Sequence, residues 1–217
     1  MDRKTYPGLL ITFEGVDGCG KTTQARLAHR YLLAGGHRRV QFLREPGSTA
    51  VAERIRAILL DGRLSINETT ELLLYEAARA EVTARELRPA LARGEIVLCD
   101  RFYDSTTAYQ GFGRKLDIRT VRWLHKVAVG DLVPDLTIVL DVDIPTAITR
   151  RGDRPDRLES ESIAFFQRVR SGFLHIARKE RSRVKVIDAT RSVDRVFEDV
   201  KKLLARKLKR YEQRRAL

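Results

Sequence analysis

Cysteine is scarce in this chain. Only Cys19 and Cys99 occur in 217 residues, and neither belongs to a Cys-x-x-Cys pair. That argues against a structural zinc site and against a disulfide framework, and it suits a reduced, cytoplasmic compartment. Long apolar runs are missing too: no uncharged stretch approaches the roughly 18 residues that a membrane helix needs. The first apolar stretch, residues 8–13, runs at once into Glu14 and Asp17 and is too short for a signal peptide. Internal repeats and low-complexity tracts are absent. Acid is in deficit, with 29 Asp and Glu against 42 Lys and Arg, a net charge of +13. Such an excess implies polyanions nearby, whether phosphates, nucleic acid or an anionic surface. The hydrophobic share of 43% excludes a disordered chain. The length fits one α/β domain over residues 1–217.

Four short apolar runs read as buried strands: residues 9–13, 40–43, 96–99 and 136–140. A weaker fifth covers residues 184–187. Helical patterns lie between them: residues 22–34; residues 68–92, with Pro89 marking the end; and residues 117–129, opened by Asp117 as N-cap. Residues 160–178 place Ile163, Phe166, Val169, Phe173 and Ile176 on one face. The last helix, about 192–215, aligns Val193, Val196, Phe197, Val200, Leu203, Leu204, Leu208 and Tyr211. Alternating strands and helices predict a five-stranded parallel sheet flanked by helices. Ligands of such sheets bind beyond the carboxyl ends of the strands. Chemistry is therefore expected just after Phe13, Leu43, Cys99 and Leu140.

Residues 15–22, Gly15-Val-Asp-Gly-Cys-Gly-Lys-Thr22, match the G-x-x-x-x-G-K-[ST] phosphate loop in full, between a strand and a helix. The glycines let the backbone wrap a phosphate, and backbone N–H groups at the helix start face the anion. Lys21 brings positive charge to the β- and γ-phosphates, and Thr22 offers a hydroxyl to Mg²⁺. The third strand ends Cys99-Asp100-Arg101, which places Asp100 to hold Mg²⁺ through water and Arg101 to face phosphates. No guanine-reading Asn-Lys-x-Asp is present, nor the Asp-Glu strand end of motor and transporter ATPases. Arg44-Glu-Pro-Gly47 puts an arginine at the second strand end, which suggests a second phosphate-bearing substrate. Further on, four arginines fall within residues 150–157. Gly152 and Pro155 keep that stretch from being plain helix.

Taken together, Phe13-Glu-Gly-Val-Asp-Gly-Cys-Gly-Lys-Thr-Thr23, Arg44-Glu-Pro-Gly47, Asp100-Arg101, Ser105-Thr-Thr-Ala-Tyr-Gln-Gly111 and Leu140-Asp-Val142 resemble the thymidylate kinase family. The resemblance runs from about Leu9 to Val200. It implies a nucleoside-monophosphate kinase fold with a short lid at about 149–158, and the reaction ATP + dTMP → ADP + dTDP with Mg²⁺. It implies ATP contacts from Gly15, Val16, Asp17, Gly18, Cys19, Gly20, Lys21, Thr22, Thr23, Arg150, Arg154 and Ala189. The acceptor set it implies is Asp17, Arg44, Pro46, Tyr75, Arg79, Arg101, Thr106, Tyr109 and Gln110, with Thr22 and Asp100 at the metal. Within that set Arg44 and Arg101 take the dTMP phosphate and Asp17 the sugar 3′-hydroxyl. Tyr75 stacks on thymine, Arg79 donates to a thymine carbonyl, Thr106 reaches the base, and Tyr109 blocks a ribose 2′-hydroxyl. The bond between Glu45 and Pro46 is expected to be cis. The loop lacks arginine, so the resemblance assigns the transferring phosphate to the lid: Arg151, or alternatively Arg150 or Arg154. The catalytic set is thus Lys21, Arg101, Arg151 and Asp17. Relatives are commonly homodimers, and the helices at 68–92 or 117–129 would supply the apolar face.

Two features read more plainly. Cys19 and Cys99 are taken as small buried apolar residues, the sharper idea being that oxidation of Cys19 would block ATP. The eight Lys and Arg against one acid in residues 201–217 read as a solvated helix face with a frayed end. No membrane partner and no nucleic-acid partner are expected. The competing readings are another nucleotide or deoxynucleoside kinase, and a phosphate-loop ATPase that binds nucleic acid.

Overall fold

The computed structural model describes residues 6–151 and 156–215. In chain order the elements are β1 Leu9–Glu14, α1 Lys21–Ala34, β2 Val40–Arg44, α2 Ala50–Leu60 and α3 Glu68–Val82. A π-helical turn, Thr83–Leu87, leads into α4 Arg88–Ala92, followed by β3 Ile96–Asp100. Then come α5 Tyr103–Thr106, a π-helical segment Thr107–Gly113, α6 Ile118–Val129 and β4 Leu136–Asp141. The chain closes with α7 Ile144–Thr149, α8 Ile163–Lys179, β5 Val184–Asp188 and α9 Val193–Arg215.

The five strands form one all-parallel sheet in the order β2-β3-β1-β4-β5. β1 is central, and all six of its residues are buried. Side chains alternate across a strand, and the alternation sorts residues into two cores. Leu9, Ile11, Phe13, Ile96 and Leu98 join one cluster with residues of α1, α8 and α9. Leu10, Val97 and Cys99 join another with Ala78, Val82, Leu87 and Leu91 of the run 68–92. A sheet covered on both faces needs no polar side, hence the near-continuous apolar strands.

Every strand reaches one residue beyond its apolar run, and that residue is charged: Glu14, Arg44, Asp100, Asp141 and Asp188. The carboxyl edge of the sheet is therefore a row of ionisable groups.

Some helical expectations need correction. Pro89 lies inside the helical run rather than at its end. The preceding turn is π-helical, and Arg88 N–H reaches back to Thr83 O. That wider turn accommodates a residue with no N–H and a ring that clashes with a regular α-turn. Ile163 and Val193 are 57% and 51% exposed, because each opens its helix, where the first turn projects past the core. Helices α2, α5 and α7 were not expected. They are short, and α2 buries only Ala52 and Leu59, too few to write a helical period into the sequence. Gly152 and Arg154, expected in the lid, lie outside the described residues.

Candidate active site

The loop after β1 folds where no side chain fits. Gly15 has φ +139°, and a Cβ there would lie 2.6 Å from Leu140 O. Gly18 has φ +83°, and a Cβ would collide with Ala147 O. Helix α1 then begins with no side-chain cap and no acidic residue in its first turn. By contrast α2, α3, α6, α7 and α8 are capped by Thr49, Asn67, Asp117, Asp143 and Ser162. The first N–H groups of α1 are thus left for an anion from outside, supported by the helix dipole.

Asp17 is the hub of the loop. Its carboxylate accepts hydrogen bonds from Lys21 Nζ at 2.9 Å, from Tyr109 Oη at 2.7 Å and from Arg101 Nη2. Burial pushes this carboxyl up, but the Arg101 and Lys21 charges and the Tyr109 hydroxyl outweigh it and hold it well below the usual range. Arg101 also donates to Gly15 O at 3.1 Å and to Ser105 Oγ at 2.8 Å. Its backbone is left-handed, φ +74°, a strained setting for an arginine. Glu14 fastens the next peptide: its carboxyl accepts from Phe102 N at 2.7 Å and from Ser105 Oγ at 2.6 Å. Burial and the neighbouring Asp104 push Glu14 up to about 8. Sequence reading gave Glu14 no role, although its place at the end of the central strand was a usable signal.

One cavity opens beside this hub. Of the expected acceptor residues it brings together Asp17, Pro46, Tyr75, Arg79, Arg101, Thr106, Tyr109 and Gln110. The bond between Glu45 and Pro46 is cis, as expected. Arg79 is 2% exposed; its Nε donates to Glu45 at 2.8 Å and its Nη1 to Glu76 at 2.7 Å. Thr106 Oγ1 is buried and has no partner among the described residues, as a group awaiting a ligand would be. Gln110 donates to Glu71 at 2.8 Å. Burial pushes the Tyr75 phenol up, so it stays a neutral ring.

Arg44 is placed differently from expectation. It is absent from the cavity wall, and its guanidinium is clamped to Glu53 at 2.7 Å. Besides Arg79 and Arg101 the wall holds Arg56, which donates to Pro46 O at 3.2 Å. Arg56 sits on the unexpected helix α2, which is why the sequence did not point to it. Glu45, Leu60, Ser105, Asp156 and Leu158 complete the wall.

A second cavity lies on the other side of the loop. It is lined by Gly18, Cys19, Gly20, Lys21, Thr22 and Thr23, together with Arg150 and Ala189. Arg150 donates to Ala189 O at 2.7 Å and Thr190 O at 3.1 Å. It therefore belongs to this cavity's far wall and not beside the hub. Arg151 does reach the loop, donating to Asp17 O at 3.2 Å while its guanidinium lies 4.0 Å from the Phe166 ring centroid. Its Nη2 is buried without a partner among the described residues. Val16 is 2% exposed and packs in the core.

At the floor, Thr22 Oγ1 donates to Asp100 Oδ2 at 2.5 Å, and the buried Asp100 Oδ1 has no partner among the described residues. A hydroxyl, a carboxylate and an orphan oxygen fit a hard cation such as Mg²⁺, which takes most of its remaining ligands from water and phosphate. No group of three or more His, Cys, Asp or Glu placed to hold a metal occurs among the described residues. Cys19 is buried, and burial pushes its thiol up. It is thus a packing residue with little thiolate to oxidise.

A family model described as thymidylate kinase matches residues 13–200. A thymidylate kinase of Gloeobacter violaceus is 48% identical over 197 residues, covering 89% of this chain and 92% of the relative. One of Desulforudis audaxviator is 49% identical over 186 residues, covering 85% and 84%. The crystal structure of thymidylate kinase from Ehrlichia chaffeensis superposes with a TM-score of 0.75 at 36% identity, covering 91% of this chain and 98% of that one. The paired cavities, the loop between them and these likenesses lead to one assignment: the chain belongs to the thymidylate kinase family.

Proposed function

We propose that the protein transfers the γ-phosphoryl group of ATP to dTMP. The observation that carries this reading is the adjacency of two cavities across one loop. Asp17 lines the first and Gly18 the second, so two nucleotides would meet head to head at residues 17–21. Phosphoryl transfer asks a protein mainly to position two anions and cancel their repulsion. Lys21 and the uncapped start of α1 take the β- and γ-phosphates. Arg101 leaves Asp17 for the acceptor phosphate, with Arg56 in the wall and Arg44 behind it. Arg151, already over the loop, supplies charge to the transferring group. Thr22 and Asp100 would hold Mg²⁺, which neutralises phosphate charge when bound. Freed from its cations, Asp17 accepts from the sugar 3′-hydroxyl.

Tyr75 and Arg79, four residues apart on α3, give the base a stacking ring and a donor. Thr106 Oγ1 meets the base edge, Pro46 lies beside the methyl group, and Tyr109 fills the space a 2′-hydroxyl needs. Adenine rests near Ala189 and Arg150. A homodimer in a reduced cytoplasm belongs to the same reading. Its support is the apolar surface of the packed pair α3 and α6, where Leu73, Trp123 and Val127 are 49%, 63% and 64% exposed. No helix among the described residues is long and apolar enough to cross a membrane.

The test is radiolabelled phosphate transfer from ATP with Mg²⁺ to dTMP, dUMP, dCMP, dGMP and thymidine. dTMP is expected to be the best acceptor by a wide margin. A different preferred acceptor would reassign the enzyme among nucleotide kinases. Nucleic-acid-stimulated ATP hydrolysis without transfer would overturn the reading.

A further inference from the structure

We propose that His125 is a positioning residue for nucleobase recognition, acting through Glu76 on Arg79. The inference rests on the reading of Arg79 as the donor to a thymine carbonyl.

His125 is on α6, one helix removed from the cavity, and its residue is 7% exposed. Its Nδ1 lies 2.7 Å from Glu76 Oε1 and its Nε2 lies 2.9 Å from Thr107 Oγ1. An ionised carboxylate only accepts, so the Nδ1 proton goes to Glu76. Nε2 pairs with the Thr107 hydroxyl, so both ring nitrogens have partners. Tyr103 stacks on the ring at 5.3 Å and 25°, which fixes its plane.

The same Glu76 oxygen accepts from Arg79 Nη1 at 2.7 Å, and Arg79 Nε is held by Glu45 at 2.8 Å. Two of the three guanidinium nitrogens are thereby pinned. The third, Nη2, has no hydrogen bond to the described residues and belongs to a side chain in the cavity wall. Besides Arg79, His125 is the only donor to Glu76 among the described residues. Without the imidazole, the carboxylate that aims Arg79 is anchored only by Arg79 itself. Recognition of this kind fails when a donor is displaced by about 1 Å.

Base chemistry says what is at stake. Position 4 of thymine is an acceptor carbonyl, whereas cytosine carries a donor amino group there. A rigid N–H favours the first and faces the second donor to donor. A loosened guanidinium can turn aside and discriminates less.

The experiment uses two substitutions that keep different halves of the ring. In His125→Gln the amide nitrogen takes the place of Nε2, so the donor to Glu76 is lost. In His125→Asn it takes the place of Nδ1, so that donor is kept. H125Q should raise the dTMP KM about tenfold and lower the dTMP-over-dCMP preference in kcat/KM about tenfold, with kcat and ATP KM within about twofold of wild type. H125N should stay within about threefold of wild type on every parameter. Equal effects of the two substitutions, an unchanged dTMP KM in H125Q, or a loss confined to kcat would each overturn the proposal.

His125 also lines a separate cleft with Tyr103 and Thr107, which gives a second arm should H125Q not fold. In His125→Ala, added imidazole should restore the dTMP KM through the cleft; a folded H125A that imidazole does not rescue overturns the proposal. A wild-type enzyme that makes no dTDP overturns the functional reading and this inference together. An active wild type with indistinguishable variants overturns the inference alone.

Discussion

At the scale of single residues, charge inside the protein decides the outcome. Lys21 is the cation of the loop, so Lys21→Ala should lower kcat by about 10²–10³ with the fold intact, by analogy with removal of one electrostatic stabiliser. Circular dichroism and steady-state rates check this; near-normal turnover would count against the mechanism. Arg151→Ala should lower kcat more than it raises the dTMP KM, and the reverse pattern would make Arg151 a binding residue. Glu45 yields a pH prediction. Burial outweighs the Arg79 charge and pushes its carboxyl up to about 7. The native state then keeps a proton that the unfolded chain has already lost, and native proton binding in excess makes stability fall with rising pH. The Glu45 contribution is present in acid and lost as pH rises from the ordinary carboxylate range through about 7. Wild type should lose unfolding free energy relative to Glu45→Gln between about pH 5 and about pH 8 in urea titrations; a flat or rising difference would refute it. At this scale the sequence was legible where function is local. Gly15, Lys21 and Thr22 stand in one motif, whereas Glu45, Glu76 and His125 meet only after three elements have packed.

At the scale of elements, α9 shows what a composition-based reading leaves out. Its basic residues suggested a frayed, solvated end. Yet Leu208 and Tyr211 are 8% and 3% exposed, and Tyr211 Oη donates to Gly94 O at 2.6 Å just before β3. Lys202, Arg206 and Lys209 are exposed on a helix that is anchored as far as Tyr211. Tyr211→Phe should lose about 1 kcal/mol. Truncation after Arg206 should lose several kcal/mol, since each large buried side chain is worth about 3–5 kcal/mol. Thermal melts of both variants check the ranking; equal melting temperatures for wild type and truncation would show that the end is dispensable. The stripe itself was readable, because a helix of 23 residues repeats its period many times. Helix α2, with 11 residues and two buried side chains, leaves no such trace, and Arg56 was missed with it. The π-helical stretches are invisible in a pattern tuned to 3.6 residues per turn.

At the scale of the whole molecule, the phosphate loop at the edge of the sheet and the +13 balance describe a protein built to face phosphate. Its substrates should also hold it together. dTMP and an unreactive ATP analogue, each at about 100 times its dissociation constant, should each add about 2.7 kcal/mol of stability. Differential scanning fluorimetry reads this as a rise in melting temperature that is larger with both than with either alone. Failure of dTMP to shift the melt would place the acceptor elsewhere. The parallel sheet and its strand count were foreseeable from the alternation of elements, since parallel strands need crossovers and crossovers need helices; the strand order was not. The division of labour around the two cavities was not, because Arg150 and Arg151 are neighbours in sequence, yet Arg150 lines the second cavity while Arg151 reaches Asp17 O. Asp17 adds a last consequence. The resting site already contains an anion of its own, so incoming phosphate must evict a tenant rather than settle on bare cations. A ligand that offers the displaced carboxylate a hydrogen-bond donor should therefore enter more readily than one that does not, and sulfate, which has none, should inhibit dTMP phosphorylation only weakly.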